Sequence, residues 1–203
     1  VISVSDEGGT ITYTYNNRGL VKKVDYDGEE ISLQYDDAGN RTVLNDPNAG
    51  EITSTYNVFG ELLTNNDAKS NTYTMTYDNF GRLKSKECDG KTTTWSYNSE
   101  SGLLESISNN DNTITYTYDQ NDLFLIEYTE IINGQSFETS FTYNTNGEVK
   151  TVTYPGGFAI ENIYDNHGYR KQIKRVGETD PIWQLDGLND KGMITNFTYG
   201  NGL

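Results

Sequence analysis

Apolar and polar side chains alternate along much of this 203-residue chain. In the segment ITYTY, present at 11–15 and again at 114–118, isoleucine and tyrosine occupy one set of alternate positions and threonine the other. Because successive side chains of a strand point to opposite faces, the pattern predicts antiparallel strands with one apolar and one polar face. No stretch has the 3.6-residue apolar period of an amphipathic helix. We therefore expect little helix, with more than half of the chain in strands.

The strands recur in a repeat that is anchored by tyrosine. Eight anchor tyrosines are separated by 20, 21, 21, 20, 21, 25 and 21 residues, and Leu188 takes the anchor position of a ninth repeat. The residue after the anchor is asparagine or aspartate in all nine repeats. Periodicity of this length predicts stacked supersecondary units. The anchor tyrosines are Tyr15, Tyr35, Tyr56, Tyr77, Tyr97, Tyr118, Tyr143 and Tyr164.

A glycine follows the anchor at a nearly fixed distance. It lies four residues after the anchor in seven repeats and five residues after it in the fifth, whereas the sixth repeat has Asp122. Asx-x-x-Gly is a turn sequence, because glycine adopts positive φ without strain and aspartate tolerates it better than most residues. Each anchor is therefore expected to end a strand at a tight turn. The glycines are Gly19, Gly39, Gly60, Gly81, Gly102, Gly147, Gly168 and Gly192.

A second turn is expected about midway between anchors, so each repeat is a pair of strands. Nine repeats give about 18 strands, and open sheets rarely exceed about ten strands without curling. The predicted fold is all-β: tandem β-hairpin repeats in a long curved antiparallel sheet, part of a spiralling β-shell, with residues 1–203 as one array. The midway turns are marked by Asp27-Gly28, Asp89-Gly90, Asn133-Gly134, Pro155-Gly156-Gly157 and Gly200-Asn201-Gly202.

Composition and charge remove several classes of function. The net charge is −15 and the isoelectric point about 4.3, so nucleic acid is a poor partner, because phosphate binding needs a basic surface. No apolar run approaches the roughly 18 residues of a membrane span, and Val1–Val4 does not resemble a signal peptide. One cysteine allows no internal disulfide and no cysteine-based metal site.

The repeat resembles a known family. Tyr77–Leu83 reads YDNFGRL, and close variants stand at Tyr35–Arg41 and Tyr164–Arg170. This is similar to the YD-repeat, or Rhs-repeat, family, and the resemblance extends over essentially the whole chain. It implies a β-shell of spiralling hairpins, which in bacterial polymorphic toxins and in Tc toxin B/C components encloses a C-terminal toxic domain, and which in teneurins presents adhesive surfaces. The family's self-cleaving aspartyl motif is absent, since Asp180-Pro181 has a different setting.

The resemblance implies a role and partners as well. The chain is interpreted as a non-catalytic segment of a longer secreted or surface-exposed protein, whose partners are neighbouring repeats and an enclosed domain of the same parent chain. A carbohydrate-binding or cell–cell adhesion module with outward loops is the alternative, and an enzyme comes a distant third. Because the strands near Val1 and Leu203 lack charged or proline blocks, we also expect self-association through these edges.

Candidate chemical groups are few, and no cofactor is expected. The anchor tyrosines could form a sugar-binding platform, but their period-two spacing favours a buried structural ladder whose hydroxyls reach the backbone. His167 lies in a turn without a second histidine, and Cys88 has no partner thiol, so both are expected to be inert. The acidic segment Asp25–Glu30 lacks the donor spacing of a calcium loop. Two glycosylation triplets begin at Asn40 and Asn196.

Overall fold

The computed structural model describes residues 2–6 and 8–200, and the part it describes contains nineteen strands and no helix. The predicted all-β fold is confirmed, with more than half of the chain in strands. The strands are β1 (Ile2–Asp6), β2 (Gly9–Tyr15), β3 (Val21–Tyr26), β4 (Glu29–Tyr35), β5 (Arg41–Asp46), β6 (Gly50–Tyr56), β7 (Leu62–Asn66), β8 (Thr72–Tyr77), β9 (Leu83–Cys88), β10 (Lys91–Tyr97), β11 (Leu104–Ser108), β12 (Asn112–Tyr118), β13 (Leu125–Ile132), β14 (Gln135–Tyr143), β15 (Val149–Thr153), β16 (Ala159–Tyr164), β17 (Arg170–Arg175), β18 (Pro181–Leu188) and β19 (Ile194–Tyr199).

The chain forms two compact units, Val1–Ser96 and Tyr97–Leu203. In the N-terminal unit, β1 to β10 each pair antiparallel with the strand next in sequence. In the C-terminal unit, β11 to β19 do the same. The tandem antiparallel hairpins predicted from the sequence are therefore present in both units. That all 203 residues form one continuous array stays a prediction.

Strand register separates an apolar face from a polar face, as the alternation predicted. In the N-terminal unit, Tyr13 pairs with Val24, and Leu33 with Leu44. Their neighbours on the other face are mostly threonine, serine or charged, and the Oγ1 atoms of Thr55 and Thr64 are 2.6 Å apart. We call these the apolar and polar faces. The apolar face of this unit includes Tyr13, Val24, Ile31, Leu33, Leu44, Ile52, Tyr73, Met75 and Lys86.

Neither face is covered within a unit. Among the described residues only Met75, Thr139 and Asn162 are buried. The expectation that the anchor tyrosines are mostly buried is therefore wrong: Tyr15 is 36% exposed, and the other seven anchors are half-buried. The reason is that a single layer of strands shields a side chain only with its neighbours in the same sheet. A second layer would be needed to remove the remaining surface from water.

The midway hairpin turns have the backbone that their sequences predict. Asp27 and Gly28 have φ of 51° and 91°, and the pairs at 89–90 and 133–134 are similar. Positive φ at both central residues is typical of the type I′ turn, which suits the right-handed twist of the flanking strands. Gly156 and Gly157 also have positive φ. In the turn expected at 200–202, Asn201 and Gly202 lie outside the described residues.

Asn162 is a buried polar residue on β16 of the C-terminal unit, two residues before the anchor Tyr164. It is only 7% exposed, and its Nδ2 donates to the carbonyl of Val149 at 3.0 Å. Its Oδ1 accepts no hydrogen bond among the described residues. The equivalent position carries Leu33 and Met75 in other repeats. A buried acceptor without a donor costs free energy of folding.

Replacing this side chain with an apolar one should stabilise the protein. Asn162→Leu is expected to raise the free energy of unfolding by about 1 kcal/mol, because it removes an unsatisfied buried oxygen. The Val149 carbonyl keeps a donor, since the Tyr164 hydroxyl lies 2.9 Å from it. Denaturant titration measures the change, with the isosteric Asn162→Asp, which would bury a charge, as a destabilised control. A leucine variant less stable than the parent would contradict the prediction.

Candidate functional site: the tyrosine anchors and the apolar face

Each anchor is followed by a turn that is closed by the Asx side chain. After Tyr77, the Oδ1 atom of Asp78 accepts the backbone N–H groups of Phe80 at 2.8 Å and Arg82 at 3.0 Å. Asp78 N–H donates to the Arg82 carbonyl, and Gly81 N–H to the Asp78 carbonyl. The same side-chain bonds to residues two and four positions further on recur at Asn16, Asn57, Asn144, Asp165 and Asn189.

The glycines have the conformation that the turn requires. All eight glycines of the predicted signature have φ between 74° and 96°. In the sixth repeat the left-handed residue is Leu123, at φ 58°, so the expectation that Asp122 takes this role is wrong. The turn after Tyr118 is one residue longer, as in the fifth repeat, and the Leu123 N–H donates to the Asp119 carbonyl. The single-residue insertion moves the strained position from aspartate to leucine.

The hydroxyls of five anchor tyrosines connect their repeats to the preceding ones. Tyr77 Oη donates to the carbonyl of Leu62 at 2.9 Å, and Leu62 follows the preceding anchor by six residues. The expectation that the hydroxyls reach the backbone is thus confirmed for five anchors. The five bonds are Tyr35 to Val21, Tyr56 to Arg41, Tyr77 to Leu62, Tyr143 to Leu125 and Tyr164 to Val149.

The electrostatics of these groups fit a structural role. Burial raises the pKa of the Tyr77 hydroxyl, with a further contribution from the Glu61 charge. Burial likewise raises the pKa of Tyr118 and of Tyr143. A raised phenol pKa keeps the hydroxyl protonated and able to donate to a carbonyl. These three hydroxyls therefore stay protonated at physiological pH.

The turn aspartates should make the fold sensitive to acid. Backbone N–H groups that donate hydrogen bonds to their carboxylates lower the pKa of Asp119 and of Asp165. A depressed pKa in the folded state contributes stability that is present above the unfolded value of about 4 and is lost as pH falls through the folded value. The double variant Asp119→Asn, Asp165→Asn is therefore expected to lose less melting temperature between pH 7 and pH 3 than the parent. Circular dichroism melts measure this, and equal losses would contradict it.

The remaining candidate groups are not brought together. His167 lies exposed in a turn, where its backbone N–H donates to Asp165. Cys88 is a half-buried free thiol on the apolar face, opposite Tyr73. In the part of the chain that the structure describes, no three histidine, cysteine or acidic side chains converge as metal ligands. That the chain needs no metal or cofactor stays a prediction. None of the described segments is a helix with the length and hydropathy that a membrane span requires.

Two clefts between the third and fourth repeats are not predicted by the sequence pattern. One, of about 740 Å³, is lined by Phe59, Leu63, Met75, Tyr77 and Phe80 among others. The second, of about 370 Å³, shares Met75 and Tyr77 and reaches Lys86. Phe59 and Phe80 are 84% and 83% exposed at the tips of their turns. Phenylalanine occupies turn positions that are polar in most repeats, and this feature of the sequence could have indicated the two clefts.

Comparisons with known proteins agree with the geometry. The family model for the teneurin YD-shell matches residues 12–176. The chain belongs to this family. Its YD repeats therefore include nearly all of the anchors described above, from Tyr15 to Tyr164. No curated protein matches the chain at a significant level.

Solved structures with the same fold are Tc toxin components. The crystal structure of TcdB2-TccC3 superposes with a TM-score of 0.69 at 15% identity, covering 96% of this YD-shell chain and 13% of that chain. The Photorhabdus luminescens Tc holotoxin pore with the TccC3 mutation D651A gives a TM-score of 0.68 at 15% identity, covering 95% and 13%. At this identity the likeness shows the fold. The YD-shell chain spans about an eighth of the length of these structures.

Proposed function

We propose that this YD-shell chain is a non-catalytic segment of a protein wall, which surrounds or scaffolds another part of the same parent polypeptide. The observation that carries the proposal is that the apolar face is only partly shielded from water. Within each unit, neighbouring hairpins are joined by backbone pairing, and five anchor hydroxyls add a bond to the preceding repeat. The aromatic and aliphatic side chains of one face nevertheless keep part of their surface in water. A wall that borders a further polypeptide would cover that face.

The two faces differ in the way that such a wall requires. In the N-terminal unit, the polar face carries hydroxyls and acids, such as Thr55, Thr74 and Glu87. The apolar face carries the residues defined above. Acidic hydroxyl-rich surfaces stay hydrated and soluble, so we assign the polar face to the outside and the apolar face to the interior.

The relatives support partners within a longer chain. The chain spans 13% of the TcdB2-TccC3 chain, and by this likeness we propose that the parent protein continues beyond these nine repeats. One related crystal structure lacks a hypervariable C-terminal region, which shows that the TcdB2-TccC3 chain continues into such a region. By this likeness we propose that the parent protein is secreted or displayed at the cell surface, and that a C-terminal toxin-like domain is the enclosed partner.

Cysteine accessibility in the full-length parent protein tests the assignment of the faces. Ile52 and Thr53 are adjacent, half-buried and on opposite faces of β6. In a Cys88→Ser background, Ile52→Cys should react with a maleimide at least about ten times more slowly than Thr53→Cys when the enclosed domain is present. In the isolated 203-residue chain, the two rates should be alike. Equal rates in the full-length protein would refute the wall.

A binding module is the second candidate, and the exposed turn tips favour it. Val58, Phe59 and Phe80 are among the most exposed large apolar residues of the described chain. Outward loops of this kind could contact glycans or surface proteins. A glycan array tests that reading directly.

Self-association through the outer strands stays a prediction. The outer strand β19 has six exposed residues and no charge.

A further inference from the structure

The two clefts between the third and fourth repeats form one continuous surface on the N-terminal unit. They share Met75 and Tyr77, so a ligand can pass from one to the other over these two side chains. A cleft of about 580 Å³ lies in the equivalent place between the fifth and sixth repeats, but its turn residues are Glu100, Ser101 and Leu123 in place of phenylalanine. The space is thus a property of the repeat, and its chemistry differs from repeat to repeat.

One end of this surface carries a cation without a counter-ion. Lys86 lies on the apolar face opposite Met75 and Thr93, and its Nζ atom is 4.8 Å from the centre of the Tyr73 ring. Among the described residues, no carboxylate lies within ion-pair distance of Lys86. The aromatic ring holds the ammonium over the cleft by a cation–π contact. An anion that arrives beside Tyr73 would complete the pair.

The other end combines two exposed aromatic rings with polar side chains, and the Asp78 charge there is paired with Arg82. Arg82 bonds Asp78 at 2.7 Å and stacks over the Phe80 ring at 5.1 Å. The Asn57 amide donates to Glu61. The aromatic rings of Phe59 and Phe80 remain, and both are exposed. This end therefore suits an aromatic or aliphatic side chain, while the Lys86 end suits a carboxylate.

We propose that this surface holds an extended segment of the enclosed polypeptide, with an acidic residue at Lys86 and an apolar residue between Phe59 and Phe80. Tyr73 and Tyr77 are four residues apart on one strand, which is about 13 Å at the usual rise per residue. An extended ligand spans the same length when about three residues separate its two anchoring residues. The inference rests on the proposed wall, because it assigns the apolar face to the interior.

Matched peptides test the charge requirement on the 203-residue chain. The probes are acetyl-Phe-Ser-Thr-Ser-Asp-amide and its counterpart with Asn in place of Asp, followed by 1H–15N NMR titration. The aspartate peptide is expected to bind about two to five times more tightly, as one exposed ion pair allows. Lys86→Met should abolish the preference and Lys86→Arg should keep it. Lys69→Met, at an exposed turn of the same unit, is the control that should change nothing.

The aromatic end is tested by Phe59→Ser combined with Phe80→Ser, which should weaken both peptides equally. Equal affinity of the two peptides for the parent chain would overturn the inference, as would a preference that survives Lys86→Met or an absence of shifts at millimolar peptide. Glycan binding that requires Phe59 and ignores Lys86 would assign the surface to sugars instead. None of these outcomes alters the labelling rates at positions 52 and 53, so the wall proposal is judged separately.

Discussion

Truncating Tyr77 to alanine is expected to lower the free energy of unfolding by about 2–4 kcal/mol. The ring packs beside Met75, the one buried apolar residue of the described chain. Removing a large aromatic from a fully buried site costs about 3–5 kcal/mol, and Tyr77 is half-buried, which reduces the figure. The change also removes the hydroxyl bond to Leu62, which connects the fourth repeat to the third. Urea titration followed by far-UV circular dichroism measures the loss.

Two further variants separate the ring from the hydroxyl. Tyr77→Phe keeps the ring and should cost about 1 kcal/mol, the usual net value of one hydrogen bond. Phe59→Ala removes a similar ring from a position that is 84% exposed, and should change stability by less than about 0.5 kcal/mol. If Tyr77→Ala and Phe59→Ala cost the same, the anchor would have no packing role, and a sugar-binding platform would again account for the tyrosines.

Gly50→Ala is expected to cost about 3 kcal/mol. Gly50 begins β6 with φ of 81°, and a Cβ atom added there would lie 2.4 Å from the Cβ of Ala68 in the next hairpin turn. Left-handed backbone costs a non-glycine residue about 1–2 kcal/mol, and overlap between two methyl groups that cannot rotate away adds a similar amount. The melting temperature and the urea midpoint should both fall.

The overlap and the backbone strain can be measured separately. Gly28 has φ of 91° and no atom within 4 Å of an added Cβ, so Gly28→Ala should cost only about 1 kcal/mol. Ala68→Gly in the Gly50→Ala background removes the opposing methyl group and should recover about half of the loss. No recovery in the double variant would show that strain alone accounts for the cost.

The hairpins could be predicted from the sequence because their determinants are local. The Asx side chain, the glycine with positive φ and the Asp-Gly pairs each fix a turn within five residues, and the structure has them where the sequence places them. The sixth repeat shows the limit of this reasoning. Asp122 is of a residue type that tolerates the left-handed region, but the longer turn places Leu123 in that region instead.

Burial and the clefts could not be predicted in the same way. Period-two spacing identifies which side chains share a face, but the extent to which that face is covered depends on what packs against it. The anchors are consequently half-buried and not buried. Lys86 could not be predicted to lie on the apolar face, because a charged residue within a strand usually belongs to the solvated face, whereas its register places it opposite Met75 and beside the Tyr73 ring.

The sequence separation between an anchor hydroxyl and the carbonyl it bonds sets the increment by which an array of these repeats can lengthen. In four of the five bonds the tyrosine contacts a carbonyl 14 or 15 residues earlier, and the longer hairpin of β13 and β14 extends this to 18. In these five repeats the anchor hydroxyl bonds the repeat immediately before it. Genetic duplication or loss of one 20- or 21-residue repeat would keep the spacing of these bonds, so the array can be lengthened or shortened in steps of one hairpin.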